Sequence, residues 1–229
     1  MPDLKDFRRH WSADQKQLRA LLESGTQLQK AKDLFYSQHA VLHSREMSGL
    51  NSWSYADEVF LGLEEKQLRE IPLNQEHSLL WILWHISRIE DMTMNILVGN
   101  NDQLFFQEDW VKKLNGPIHH SGNEISAQDL RSLSHDVDLD QLFLYRDAVG
   151  QETSRIVKDL TTEVLSGKPG NDQLDRILEE GAVLPEAKVI IEYWSRKKVY
   201  QLLLMPPTRH LMVHLNEAYD LRKRFLKSD

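Results

Sequence analysis

Apolar residues recur at three- and four-residue steps through most of this 229-residue chain, and no stretch alternates apolar with polar long enough for a strand. That rhythm confines the chain to helices. The strongest segment runs from Pro72 to Val98 and carries Leu79, Leu80, Ile82, Leu83, Ile86, Ile89, Met92, Met94, Ile96 and Leu97. It is apolar on more than one face, as a helix central to a bundle must be. Pro72 and Asn74 supply start chemistry and Gly99-Asn100-Asn101-Asp102 a stop. Upstream, Ser12 and Gln15 have capping-box spacing and predict a helix running to about Met47, divided at Ser24-Gly25-Thr26. Downstream, Ser126 reads as a cap, and a third long helix spans Asp138 to Leu165. Shorter helices follow over Gln173–Glu180, Pro185–Leu204 and Pro207–Leu226, the last two separated by the helix-breaking pair Pro206-Pro207. The expected architecture is a single all-α domain over residues 1–229, most simply a four-helix bundle with additional short helices.

Composition removes several functions. The formal charge of −7 argues against binding a nucleic-acid backbone, which needs clustered positive charge. With no cysteine there are no disulfides, thiolate metal sites or cysteine nucleophiles. No run approaches the ~18 apolar residues of a membrane span, and the start shows no apolar signal region, so the expectation is a soluble, cytoplasmic protein without a membrane partner. Phosphate loops, GxSxG elbows and HExxH motifs are missing too.

The histidines carry the chemistry. His210 and His214 stand four apart on a helix, hence on one face, where two imidazoles can reach a single divalent ion. Ten scattered histidines would give roughly 0.4 such pairs by chance, yet there are two, the second being His39 and His43. A solvated helix face gives the same spacing. His85, within Leu83-Trp84-His85-Ile86-Ser87-Arg88-Ile89-Glu90-Asp91, is either a hydrogen-bonded core residue or a third ligand. Three histidines with an open position would be a catalytic pattern, and imidazoles suit Zn²⁺, Ni²⁺ and Fe²⁺ alike.

Trp84-His85-Ile86-Ser87-Arg88-Ile89-Glu90-Asp91, followed late in the chain by His210-Leu211-Met212-Val213-His214-Leu215-Asn216-Glu217, resembles the DinB/YfiT-like superfamily, over roughly Leu34 to Phe225. That family is a DinB-like four-helix bundle. It carries one histidine in its second long helix and an HxxxH pair in the last, often followed by Arg-Gly-Gln. Here Leu215-Asn216-Glu217 stands in place of that tail. The resemblance implies that His85, His210 and His214 ligate a divalent metal ion. It also implies a metal-dependent hydrolase or a transferase using a low-molecular-weight thiol, which must come from solution because the chain has none. Dimers are a further implication, for which six tryptophans and amphipathic helices could supply an apolar homodimer interface. The rival reading is a non-enzymatic helical dimerisation or binding protein whose histidines are structural.

Around those ligands, His39 and His43 read as lining the same cavity or as a polar stripe beside the core. Glu217, three after His214, can orient its ring. Glu90, five after His85, points elsewhere. Arg88 would bind an anionic substrate or pair with Glu217 or Asp91. His77 is too far along the helix to share an ion, and His10, His119, His120 and His135 read as solvent-exposed.

Overall fold

The computed structural model describes residues 3–49, 53–72 and 77–226, and among these there is no strand. The first helix, Leu4–Ser24, begins earlier than its sequence signal: Asp3 caps it by accepting the Asp6 N–H at 2.9 Å. Ser12 lies inside it, its hydroxyl donating to the Arg8 carbonyl, so the Ser12/Gln15 pair is no capping box. Gly25, at φ 63°, closes the helix in the left-handed conformation that a side chain would strain. The second helix, Leu28–Ala40, then starts after the expected break.

The central helix is Leu79–Met92, capped by the Ser78 hydroxyl on the Trp81 N–H rather than starting at Pro72; Asn74 lies outside the described residues. All its residues are buried, as its all-round apolar sequence requires. It runs on into a π-helical turn, Thr93–Gly99. Asp138 caps the next long helix, Leu139–Asp159, which ends before Leu165 because Thr161 caps a separate short helix, Thr162–Ser166. Ala127–Asp136 and Asn171–Glu179 fall where expected. Pro185–Leu204 is not one helix but a 3₁₀ turn, Pro185–Ala187, and two short helices, Val189–Ser195 and Val199–Leu203.

Pro206-Pro207 does not separate the last two segments. A π-helical turn, Met205–His210, carries the chain through the prolines into the C-terminal helix, Leu211–Phe225. Two prolines without N–H groups leave upstream carbonyls without helical donors. The Thr208 hydroxyl takes the Leu203 carbonyl at 3.0 Å, and the Gln15 amide takes that of Leu204 at 2.9 Å.

The second helix, the central helix, Leu139–Asp159 and the C-terminal segment pack as a bundle, with the first helix against the second. Its apolar core has two parts. One gathers Leu80, Trp84, Tyr145 and Leu211; the other gathers Leu18, Phe35, Met92 and Val157. Each bundle element changes from one part to the other where its buried polar residues fall: His39, His85 to Glu90, Arg146 to Thr153, and Thr208, with the half-buried His210 beside it. A polar belt therefore crosses the bundle between two apolar ends. No helix among the described residues is long and apolar enough to cross a membrane.

Candidate metal centre

The belt holds two groups of potential ligands, and within each the donor atoms lie within 4.8 Å of one another. The first brings together His85, His210 and His214. His85 is fixed by the loop before the Ala127–Asp136 helix: its Nδ1 lies 2.9 Å from the Ser121 carbonyl oxygen. A carbonyl only accepts, so Nδ1 carries the hydrogen and Nε2 presents its lone pair. Trp81 stacks on the ring at 4.6 Å and 5°. His214 is held by the same logic, its Nδ1 donating to Glu217 Oε2 at 3.0 Å, which leaves its Nε2 bare. His210, at the end of the π turn, places its Nε2 3.1 Å from that of His85.

Burial pushes the His85 pKa down to about 3, with His214 beside it adding to the effect. Burial, then His85 and His214, hold His210 well below its ordinary value. Both rings are therefore neutral at pH 7, the form that binds a metal. The hydrogen bond from His214, with the His77 ring 4.0 Å away, draws the Glu217 carboxyl down to about 2, so it is a permanent acceptor behind His214. His77 shares no ligand position; it stacks on Trp81 at 3.5 Å.

His39 and His43 do not line this centre. They meet Glu90 on another side of the central helix, since five residues at 100° each turn Glu90 about 140° away from His85. His39 Nε2 lies 2.7 Å from Glu90 Oε1, His43 Nε2 3.1 Å from Oε2, and Arg146 Nη1 2.5 Å from Oε2. Burial alone would raise the Glu90 pKa; His43, Arg146 and His39 reverse that and leave it well below the ordinary value. Burial, then the Arg146 charge, take His43 down to about 3, so this ring also stays neutral. Arg146 and Glu90 cancel in charge, and both imidazoles spend their Nε2 hydrogens on the carboxylate. The His₂Glu donor set is compatible with a metal ion, but a divalent charge here would face a buried guanidinium.

The geometry of this second group depends on Gly150. A Cβ there would stand 2.6 Å from His43 Nδ1 and Cε1 and 2.9 Å from Met47 Cγ. In a helix Gly→Ala ordinarily gains about 1 kcal/mol. Here overpacking opposes it, and Gly150→Ala is expected to lower unfolding stability by about 1–3 kcal/mol in urea titrations. A stabilised variant would show that His43 moves aside freely.

Arg88 is also absent from the ligand groups. Its guanidinium is buried on Asp91, Tyr145, Gln103 and the His119 carbonyl, with Phe105 below it at 3.9 Å. It takes the Asp91 pairing among those considered and offers no open face to a substrate. His120, expected in solvent, is buried, its carbonyl accepting the Trp84 indole N–H. Glu90 as the hub of a polar group, Arg146 and the Ser121 carbonyl were not legible as site groups. The His39/His43 spacing, which puts two rings on one helix face, is the one sequence feature that marks this side of the bundle as polar.

Comparison with curated proteins gave no match. The sequence pattern of the family described as the DinB superfamily matches residues 50–183, more than half of the chain. The matched span includes His85, Glu90 and Arg146 and ends before His210 and His214. With an all-helical fold and a polar belt compatible with metal binding, the chain belongs to the DinB superfamily.

Proposed function

We propose that the protein is a divalent-metal-dependent enzyme whose ion is held by His85, His210 and His214, acting as a hydrolase or as a transferase for a low-molecular-weight thiol. The observation that carries this is the orientation of the ligand rings. Ser121 and Glu217 each occupy an Nδ1–H and so leave the Nε2 lone pairs of His85 and His214 free. Acceptors behind metal-bound imidazoles commonly serve this purpose. The 3.1 Å between the Nε2 atoms of His85 and His210 also suits two imidazoles bound at about 2.0–2.1 Å to one ion. Without an ion, neutral rings facing one another satisfy only one hydrogen bond between them.

An ion bound there supplies a Lewis acid that lowers the pKa of water or holds a thiolate. Trp81, flat against His85, keeps water off one side of the ring. Glu217 fixes His214 and stabilises positive charge that develops on it. Electrostatics favours this group over the His39–His43–Glu90 one, which already contains its own cation in Arg146.

The test is metal content of protein purified without a His-tag. About one divalent ion per chain is expected, lost in His85→Ala and His210→Ala and kept in His39→Ala, with folding of each checked by melting. Full occupancy in the first two, or loss only in the third, would overturn the ligand assignment. Glu217→Gln should weaken metal affinity about 10-fold, by removing the charged acceptor behind His214; unchanged affinity would make Glu217 a surface acid only. Metal-loaded protein assayed on small-thiol conjugates and on ester and amide panels separates the two reaction classes.

A further inference from the structure

The loop before the Ala127–Asp136 helix turns three consecutive carbonyls toward the central helix. That of His119 accepts from Arg88, that of His120 from the Trp84 indole at 2.9 Å, and that of Ser121 from His85 Nδ1 at 2.9 Å. The loop is braced on its other side as well. Ser121 donates its N–H to the Ala182 carbonyl at 2.8 Å, and Gly122 donates its own to His120 Nδ1 at 3.1 Å. Directly after Ser121 the chain swings away through Gly122, whose φ of 85° lies in the left-handed region that strains any side chain.

Gly122 also packs against the edge of Trp81. A Cβ on it would stand 2.7 Å from the indole Nε1 and 3.3 Å from Cε2. The indole is itself held between two rings, from residues four before and four after it. His77 stacks on it at 3.5 Å and 10°, and His85 at 4.6 Å and 5°. A side chain at position 122 would therefore leave two ways out of the overlap. Either the indole shifts and disturbs the His85 ring stacked on it, or the loop backs off. The second movement draws the Ser121 carbonyl, one residue earlier, away from His85 Nδ1. Both change the direction in which His85 presents its Nε2 lone pair.

We infer that Gly122 is a positioning residue for the metal centre. The bare Cα lets the Ser121 carbonyl and the Trp81 face hold His85 at the same time, one by its edge and the other by its face. This rests on the reading of His85 as a metal ligand, and it adds a residue that fills no ligand position itself.

Two measurements on the full chain test it. In metal-free protein near neutral pH, long-range ¹H–¹⁵N correlation spectra show which His85 nitrogen carries the hydrogen. Wild type should show Nδ1–H alone, and Gly122→Ala a mixture with Nε2–H. In competition with a chromophoric chelator, Gly122→Ala should bind Zn²⁺ about 10-fold more weakly than wild type. Trp81→Phe removes the indole edge that the added methyl would strike and keeps an aromatic face for His85. Combined with Gly122→Ala, it should recover most of the lost affinity, which a loss due to backbone strain alone would not do. Should Gly122→Ala not fold, Trp81→Leu takes its place: it removes the stacked face, and should mix the tautomers and weaken Zn²⁺ binding. Wild-type tautomer and affinity in Gly122→Ala, an equal loss in the Trp81→Phe background, or an unaffected His85 in Trp81→Leu would overturn the inference. Wild-type protein that binds no Zn²⁺ yet shows the tautomer changes would overturn the metal reading and leave the positioning of His85 standing.

Discussion

Asp91→Ala is expected to cost about 3–5 kcal/mol of unfolding free energy, the usual loss when one partner of a buried ion pair is removed. The Asp91 carboxylate is fully buried and accepts five hydrogen bonds. Oδ1 takes the Asn95 amide at 2.7 Å and the Leu104 N–H at 2.9 Å. Oδ2 takes Arg88, the Tyr145 hydroxyl and the Phe105 N–H. Removing it leaves a guanidinium of zero exposure without its counter-charge, and two backbone N–H groups without acceptors. Against a total stability of about 5–15 kcal/mol, that is about a fifth or more of the fold. Asp91→Asn, which keeps the shape and part of the acceptor capacity, should lose less. Urea unfolding curves measure both, and an Asp91→Ala loss below about 1 kcal/mol would show that water replaces the carboxylate.

The consequence reaches the metal centre. Arg88 also holds the His119 carbonyl through Nε and Nη2 at 3.1 and 3.0 Å. Two residues on, the Ser121 carbonyl fixes the His85 ring. The buried pair thus anchors the loop that orients a proposed ligand. Asp91→Ala protein that still folds should bind metal more weakly, although Asp91 touches no ligand.

Some of this was legible in the sequence. Helices could be read because their apolar spacing is local, and the Leu79–Leu97 run had to be central because it offered no polar face. Their starts were harder: Asp3 and Ser78 win as caps by geometry, while Ser12 and Gln15 had the right spacing inside a helix already under way. Pro206-Pro207 misled for a related reason. Proline removes local donors, but the distant Gln15 side chain supplies one across the bundle, and nothing in the local sequence announces that contact. The histidine spacing placed His210 beside His214, and the family resemblance joined them to His85. No spacing could show that His39 and His43 turn to Glu90, because that meeting depends on how three helices pack.

Metal-free protein is expected to lose at least about 4 kcal/mol of stability between pH 7.5 and pH 5, from His43 and His85 alone. His210, also held well below its ordinary value by burial, acts in the same direction. His43 and His85 have pKa values of about 3 in the folded chain, burial being the main cause in both. Unfolded, each returns to about 6.5. Below 6.5 the unfolded state therefore binds protons that the native state refuses, and stability falls with pH. At pH 5 the difference is about 2 kcal/mol for each ring. The two lie in separate groups, so their effects should roughly add. Glu90, held well below its ordinary value, acts in the same direction at lower pH: its contribution is present above about pH 4.5 and is lost as the folded-state pKa is approached. Urea unfolding of chelator-treated protein across this range measures the total, and His43→Gln should reduce the loss by about 2 kcal/mol. A profile constant to within about 1 kcal/mol would mean that these rings take up protons in the folded state. Unperturbed histidines would release a bound ion by direct proton competition through about pH 6 to 5. Burial removes that route for His85 in the folded protein, so metal release on acidification should coincide with unfolding instead of preceding it. Parallel pH titrations of metal content and circular dichroism test this, and an ion lost from a still-helical protein at pH 5.5 would refute it.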